Sequence, residues 1–220
     1  YYNYDDYYFL NKIFEIYLDT QDISSVNTDN AIIKSIDSNI KISFINLCAT
    51  IKDYLLRSRI NPLSGVTNPC NYINYYLRKE LRKSDYSDKD GTFNNFKEYF
   101  KLDDEIKNNS CISQMEYIDN VTFEKMNKLY GLYDAYKNFC YNKYFILVQE
   151  NCIALSEVIN RYNDIINNNE YANSIYLYKE LKNIKRLIER DRLFYSGKCD
   201  SILSKFTSPE GDALECEKII

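Results

Sequence analysis

The chain contains no histidine among its 220 residues. Histidine is the usual general base of enzymes, a common zinc ligand and the side chain that titrates near neutral pH. Its absence excludes most hydrolytic triads and most metal-assisted mechanisms. The 32 acidic residues include no pair whose sequence setting differs from that of a solvated helix face. The sequence therefore predicts a protein that is not an enzyme, with no cofactor and no metal site.

Long apolar runs and closely spaced cysteine pairs are missing too. The longest apolar run, "YFILV" at 144–148, is far shorter than the roughly 18 residues of a membrane-spanning helix. Without a Cys-x-x-Cys pair, a zinc or iron-sulfur cage has no support. The chain begins with Tyr rather than Met and shows no signal segment. We therefore expect a soluble fragment whose targeting or anchoring parts are absent.

Positive charge is outnumbered, with 28 Lys and Arg against 32 Asp and Glu and a formal net charge of -4. This balance argues against a nucleic-acid partner, because phosphate binding needs a clustered basic surface. The most basic stretch is "KELKNIKRLIERDR" from Lys179 to Arg192, where acidic residues interleave. That pattern favours an exposed helix face of mixed charge.

Apolar residues recur at spacings of three and four in each periodic segment, and no segment alternates as a strand would. The sequence therefore predicts an all-α fold, an irregular bundle of about six to eight helices stapled by disulfides. The predicted helices cover residues 4–19, 43–57, 70–81, 92–107, 122–140, 144–166 and 171–194.

The breaks between these helices carry their own signals. Thr92 and Thr122 are the predicted N-caps of their helices. The stretch "NPLSGVTNP" at 61–69 is the clearest loop, and "NNSCISQMEYIDN" at 108–120 has no sustained period and predicts a long polar connection. We interpret 1–220 as a single helical domain. A division near Ser110 into 1–110 and 111–220 is the alternative.

The segment "FEKMNKLYGLYDAYKNF" from Phe123 to Phe139 carries five aromatic residues. Apolar side chains repeat there about every 3.5 residues, which predicts a core seam facing a partner helix rather than a ligand surface. Gly131 lies inside this helix and suggests the close approach of a neighbour, because glycine costs about 1 kcal/mol there relative to alanine. The apolar and aromatic side chains of the segment include Phe123, Met126, Leu129, Tyr130, Leu132, Tyr133 and Tyr136.

Two segments resemble a known family. "CNYINYYLRKEL" at 70–81 is similar to the Cys-x-Tyr-Leu-Asn-Tyr-Trp-Leu segment of the Plasmodium interspersed repeat (PIR) proteins, in particular the VIR subset. "FEKMNKLYGLYDAYKNF" at 123–139 is similar to that family's Lys-Leu-Tyr-x-Leu-Tyr-Asp-x-Tyr segment. The order, the separation and the AT-rich codon bias behind abundant Asn, Ile, Tyr and Lys agree with the family. Tyr76 departs from it, since the family usually has Trp there.

The resemblance implies a variant surface antigen of a blood-stage malaria parasite. Such a protein is exported and displayed on or near the infected red cell, with a membrane span after the ectodomain, and it binds a host receptor or is recognised by antibodies. Sequence variation then serves immune evasion. Motif residues of this kind, including Tyr72, Tyr75, Tyr76 and Leu77, are structural and do not locate a receptor site.

An extracellular ectodomain predicts oxidised cysteines, and seven of them allow three disulfides and one spare thiol. Helix rise excludes a bridge from Cys140 to Cys152, and hairpin register disfavours Cys48 with Cys70. Cysteines in loops are the favoured partners of those on helices, and Cys70 with Cys111 is the first choice. The loop cysteines are Cys111, Cys199 and Cys216.

Two other functions stay open. A cytosolic helical scaffold or trafficking adaptor would keep its cysteines reduced and pack them as small apolar side chains. A helical carrier of a lipid or apolar metabolite would use the aromatic content to line a cavity. The oxidation state of the cysteines separates the first alternative from a surface antigen.

Overall fold

The computed structural model describes residues 1–20, 22–57, 69–83, 86, 89–142, 148–168, 174–191 and 198–207. Within these ranges the chain is all-helical and contains no β-strand, as the spacing predicts. Seven helices have at least 14 residues, and three have four or five. They are α1 (Tyr4–Thr20), α2 (Ala31–Ser35), α3 (Ser38–Arg57), α4 (Cys70–Lys83), α5 (Lys89–Leu102), α6 (Ser110–Ser113), α7 (Asn120–Asn142), α8 (Val148–Ile166), α9 (Ile175–Glu189) and α10 (Asp200–Leu203).

Contacts divide the chain into two compact units. The N-terminal unit comprises Tyr2 and Tyr4–Glu124, and the C-terminal unit comprises Tyr1, Asn3 and Lys125–Ile220. The boundary falls between Glu124 and Lys125, inside α7. Whether 1–220 behaves as one domain stays a prediction.

Aromatic packing forms the core of the N-terminal unit. Tyr7, Leu10 and Phe14 are buried along one face of α1, at the spacing that predicted the helix. The ring of Phe14 lies 4.2 Å from that of Tyr54 on α3 and 4.6 Å from that of Tyr76 on α4, between centroids. These contacts join three helices through one side chain.

A second aromatic contact joins α3 to α5. Phe44 stacks on Phe96 with ring centroids 4.0 Å apart, and both side chains are fully buried. The short helix α2 also packs against α5. Asn30 caps α2 by accepting a hydrogen bond from the backbone N–H of Ile32. Local capping of this kind explains how a five-residue helix forms without a long apolar period.

Both predicted N-caps are wrong. Helix α5 begins at Lys89, so Thr92 lies in its first turn and is buried instead of capping it. Helix α7 begins at Asn120, and the Asp119 carboxylate accepts the backbone N–H of Thr122 at 2.9 Å. Hydrogen bonds from Thr122 lower the pKa of Asp119. A carboxylate at a helix N-terminus also faces the positive end of the helix dipole, which favours Asp119 over a threonine hydroxyl.

The predicted polar connection at 108–120 is partly helical and partly buried. Asn109 accepts a hydrogen bond from the backbone N–H of Cys111 and so caps α6. Cys111, Ile112 and Met115 are buried. Three apolar side chains are too few to establish a period, so the sequence pattern could not reveal this packing.

In the C-terminal unit, α8 packs against both α9 and α10. The buried apolar side chains of α8 and α9 follow the predicted spacing of three and four, and they are Leu155, Val158, Ile159, Tyr162, Ile165, Leu177, Leu181, Ile184 and Ile188. Ile175, the first residue of α9, is 66% exposed. The reason is its position at the first turn, where the side chain of Ser174 caps α9 by accepting the N–H of Leu177. The predicted loop at 61–68 and the helix ends at 144–147, 171–173 and 192–194 lie outside the described residues.

Candidate functional site

A disulfide holds the first family-like segment in place. Cys70 is the first residue of α4, and it pairs with Cys111 on α6 across a Cα–Cα distance of 4.9 Å. This is the pairing that the sequence favoured first. It ties the start of α4 to a short helix that has little local period of its own.

Arg78 fastens the same helix to the start of α7. Its side chain is 3% exposed, its Nε donates to the carbonyl oxygen of Ile118 at 3.2 Å, and its Nη2 donates to the side chain of Asn120. The guanidinium carbon also lies 4.2 Å from the ring centroid of Tyr117. Sequence reasoning missed this residue, because an arginine in a helix of mixed charge carries no signal of burial.

The two family-like segments meet directly within the N-terminal unit. Tyr75 on α4 stacks on Phe123, the first residue of the second segment, with ring centroids 5.7 Å apart. Arg82, two turns further along α4, forms an ion pair with Glu124. The segments are therefore neighbours in space as well as an ordered pair in the sequence.

The rest of the second segment belongs to the C-terminal unit and is buried over a wide arc. The hydroxyl of Tyr133 donates to Oε2 of Glu180 at 2.8 Å, and both side chains are buried. Leu132 and Phe139 are fully buried beside Leu129. At 100° per residue these positions, together with the fully buried Tyr130, span about half the circumference of α7, so the buried face is wider than a seam of one side chain every 3.5 residues.

All eleven residues singled out by the resemblance are buried. They are Tyr72, Tyr75, Tyr76, Leu77, Phe123, Met126, Leu129, Tyr130, Leu132, Tyr133 and Tyr136, each at most 8% exposed. Buried side chains of this kind stabilise a core. In the folded chain they are not exposed for contact with another molecule.

The flexible end of a long side chain lies close to Gly131. A Cβ added there would lie 3.0 Å from Nη1 of Arg161 on α8. Arg161 is exposed and its Nε pairs with Glu157 at 2.6 Å. The close approach is therefore made by the end of a long side chain, and a helix backbone does not crowd this glycine.

Lys52 forms the most buried ion pair with Asp103, and both side chains are 4% exposed. The Lys52 Nζ donates to Asp103 Oδ2 at 2.8 Å, to Glu105 Oε2 at 2.5 Å and to the carbonyl oxygen of Ser25 at 2.7 Å. The Tyr99 hydroxyl donates to Asp103 at 3.2 Å. Lys52, Tyr99, Asp103 and Glu105 line part of a cleft of about 170 Å³.

The electrostatics of this cleft keep Lys52 protonated. Burial by itself lowers the pKa of Lys52, but the hydrogen bonds and charges of Asp103 and Glu105 outweigh burial and raise it. Burial raises the pKa of Tyr99, and so does the nearby Asp103. A protonated lysine held by two carboxylates is neither a nucleophile nor a base. The role of this cluster is structural, because its hydrogen bonds connect the loop at Ser25 to α3 and to the turn after α5.

The cysteines follow the geometric expectations where they are described. Cys152 pairs with Cys199 across a Cα–Cα distance of 5.5 Å, which joins α8 to the residue before α10 and excludes a bridge to Cys140. Cys140 is half-buried on α7. Cys216 lies outside the described residues, so the expected third bridge stays a prediction.

Cys48 is a free thiol that is fully buried on α3. Burial raises its pKa well above the ordinary value, and the charge of Asp103 adds to the effect. Because the thiolate is the reactive form, this cysteine is chemically inert.

Two kinds of feature are absent from the described part of the chain. None of its helices is long and apolar enough to cross a membrane. Among the same residues, no group of three or more Cys, Asp or Glu side chains is placed to hold a metal ion.

Comparisons of this chain with protein-family models, with curated proteins and with solved structures found no match. The resemblance to the PIR proteins therefore depends on the two segments at 70–81 and 123–139.

Proposed function

We propose that this chain is the ectodomain of a non-enzymatic variant surface antigen of a malaria parasite, displayed on or near the infected red cell. It binds a host receptor or antibody, and its variation serves immune evasion. Its membrane anchor is a span outside this chain, and nucleic acid is not a partner.

The observation that carries this proposal is the junction between the two family-like segments. Tyr75 of the first stacks on Phe123 of the second, and the cysteine that opens the first segment is bridged to Cys111. Residues that share a family signature for a packing reason are expected to lie together in the core. These segments do so within the N-terminal unit.

The disulfides support an extracellular setting. Cys70–Cys111 and Cys152–Cys199 both have Cα separations suited to a bridge. Disulfides persist in oxidising compartments and are rare in reducing ones. A surface ectodomain meets this condition, whereas a cytosolic scaffold does not.

The burial of the family-like segments also suits a variable antigen. Their side chains hold the helices together, so substitutions on the exposed faces leave the core unchanged. Exposed substitutions usually alter stability by less than about 0.5 kcal/mol. A receptor or antibody would therefore read surface positions that can vary freely.

The two buried reactive groups do not support catalysis. Lys52 is held as a cation by Asp103 and Glu105, and the Cys48 thiol has a raised pKa. Nucleophilic catalysis requires the opposite shift in both residue types. We therefore expect no enzymatic activity from either group.

Labelling of infected red cells with antibodies raised against the oxidised chain tests surface display. We expect label on intact cells, and its loss after brief treatment of those cells with protease. Antibody against a cytosolic host protein controls for membrane integrity. Label that appears only after permeabilisation would contradict surface display.

Disulfide mapping of the parasite-derived protein separates this proposal from a cytosolic scaffold or trafficking adaptor. We expect the Cys70–Cys111 and Cys152–Cys199 peptides under non-reducing conditions. Cys48 should react with a thiol reagent only after unfolding. Recovery of all seven cysteines as free thiols would favour the adaptor.

A further inference from the structure

Four basic side chains form a line along the exposed face of α9. Lys179, Lys182, Arg186 and Arg190 are all exposed, and the last of them is the C-cap residue of the helix. Their spacings of three, four and four keep them on one side of the helix. We name these four residues the basic stripe.

The acidic residues that interleave in the sequence do not share this line. Glu180 is buried, where it accepts hydrogen bonds from Tyr133 at 2.8 Å and from Asn183 at 3.3 Å. Glu189 lies at one edge and pairs with the half-buried Lys185 at 3.8 Å. Of the three acids in the stretch, Glu180 is buried, Glu189 is paired with Lys185, and the half-buried Asp191 follows the helix. The centre of the exposed face of α9 is therefore basic, and acidic side chains remain at its C-terminal end.

Among the described residues, the positive charges of the basic stripe are not neutralised by ion pairs. Within the described part of the chain, none of its four residues has an acidic partner within ion-pair distance. At 1.5 Å per residue the stripe extends about 16 Å from Lys179 to Arg190. Three exposed apolar side chains flank it, namely Ile175, Tyr176 and Leu187.

The negative net charge of the chain does not cancel the attraction of the basic stripe for a negatively charged ligand. At physiological salt the Debye length is about 8 Å, so exposed charges farther away are largely screened. A ligand lying against α9 would therefore respond to the stripe more than to the formal charge of -4.

We propose that the basic stripe docks a linear sulfated polysaccharide. The four cations lie about 5 Å apart along a single line. Each can therefore contact a negatively charged sulfate of an extended polysaccharide. A helix that binds a lipid surface would instead present a broad basic face with apolar side chains at its centre. The choice of a glycan over other linear polyanions rests on the proposed function, because a cell-surface ectodomain meets sulfated glycans outside the cell.

The test is affinity of the oxidised chain for heparin and for chemically desulfated heparin. The stripe variant is Lys179→Gln, Lys182→Gln, Arg186→Gln and Arg190→Gln together. Its matched control is Lys12→Gln, Lys34→Gln, Lys101→Gln and Lys107→Gln together. This control also removes four positive charges, but from exposed positions elsewhere in the chain. Melting temperatures establish that both variants fold.

We expect the parent chain and the control to bind heparin with similar affinity, and neither to bind desulfated heparin. The stripe variant should bind heparin about tenfold more weakly or worse, with a shallower dependence on salt. Failure of the parent chain to bind heparin at physiological salt would overturn the proposal, and so would equal losses in the two variants.

Vesicles of phosphatidylcholine with about one third phosphatidylserine test the other surface. Binding that depends on the stripe with vesicles, but not with heparin, would replace the glycan with a membrane. These outcomes are independent of surface display, which the labelling of intact cells decides separately.

Discussion

Lys52 is a cation whose side chain is 4% exposed, and its ammonium group is surrounded by oxygens of Asp103, Glu105 and Ser25. Such a group is stable in a core only while its partners are present, because an unpaired buried charge is costly. The sequence separation of 51 residues between Lys52 and Asp103 shows that tertiary folding creates this pair.

Replacement of Lys52 by Met should leave the Asp103 carboxylate buried without its cation. We expect the free energy of unfolding to fall by about 3–5 kcal/mol. The double variant Lys52→Met, Asp103→Asn should recover much of that loss, because the uncompensated charge is removed. Chemical denaturation measures both values. The control is Lys34→Met, whose lysine is exposed, and an equal effect of the two single variants would contradict the burial of the pair.

At Gly131 a single substitution should stabilise the chain, in contrast to the replacement of Lys52. Gly131→Ala should raise the free energy of unfolding by about 0.5–1 kcal/mol, because alanine is the better helix former and the end of Arg161 can move. The matched control is Ala135→Gly on the same helix, which should cost about 1 kcal/mol. Destabilisation by Gly131→Ala would mean that Arg161 cannot yield.

At the scale of the element, α7 shows how a helix can be predicted while its buried face is underestimated. The spacing of Leu129, Tyr130 and Tyr133 identifies one apolar side, but Leu132 and Phe139 are fully buried as well. Periodicity identifies the face with the strongest apolar signal. Neighbouring elements decide how much more of the helix is covered.

Leu129→Ala should therefore act as a core truncation. We expect a loss of about 2–5 kcal/mol in the free energy of unfolding, since a fully buried side chain leaves a cavity. Val121→Ala is the control on the same helix, because Val121 is 59% exposed and should change stability by about 0.5 kcal/mol or less. Thermal and chemical unfolding measure both. A Leu129→Ala protein that keeps its melting temperature but loses a ligand would make this face an interface.

At the scale of the whole molecule, buried phenols set the response to alkali. Among the described residues, burial is the main cause that raises the pKa of six buried tyrosines well above the ordinary value of 10.0, and they are Tyr2, Tyr54, Tyr76, Tyr99, Tyr133 and Tyr162. The folded chain therefore keeps protons that the unfolded chain releases above pH 10. Lys52 has a raised pKa as well, and its effect has the same sign.

We expect stability from these groups to be fully present below about pH 10 and to fall as the pH rises further. Ultraviolet titration of tyrosinate should show a subset of the 23 tyrosines that ionise only together with loss of helical circular dichroism. The same titration in guanidinium gives the unfolded reference. Ionisation of every tyrosine near pH 10 with the helices intact would contradict the burial of these phenols.

The sequence by itself determined the all-α class, most long helices and the favoured Cys70–Cys111 pair. Helix formation depends on neighbours three and four positions apart, so α1 and α4 are visible in local spacing. Helix register and the limited reach of a disulfide disfavoured Cys48 as the partner of Cys70 and left the loop cysteines, of which Cys111 was the first choice. These properties are set by short-range geometry.

Tertiary structure alone decided which polar groups are buried and which charges remain exposed. Nothing near Lys52 or Arg78 in the sequence distinguishes them from solvated cations, and Glu180 looks like any other acid in α9. Each is buried because residues some 40 to 51 positions away supply its hydrogen bonds. The long-range contact of Glu180 with Tyr133 also removes one acid from beside the basic stripe, because burial depends on which elements meet and not only on which residues are adjacent.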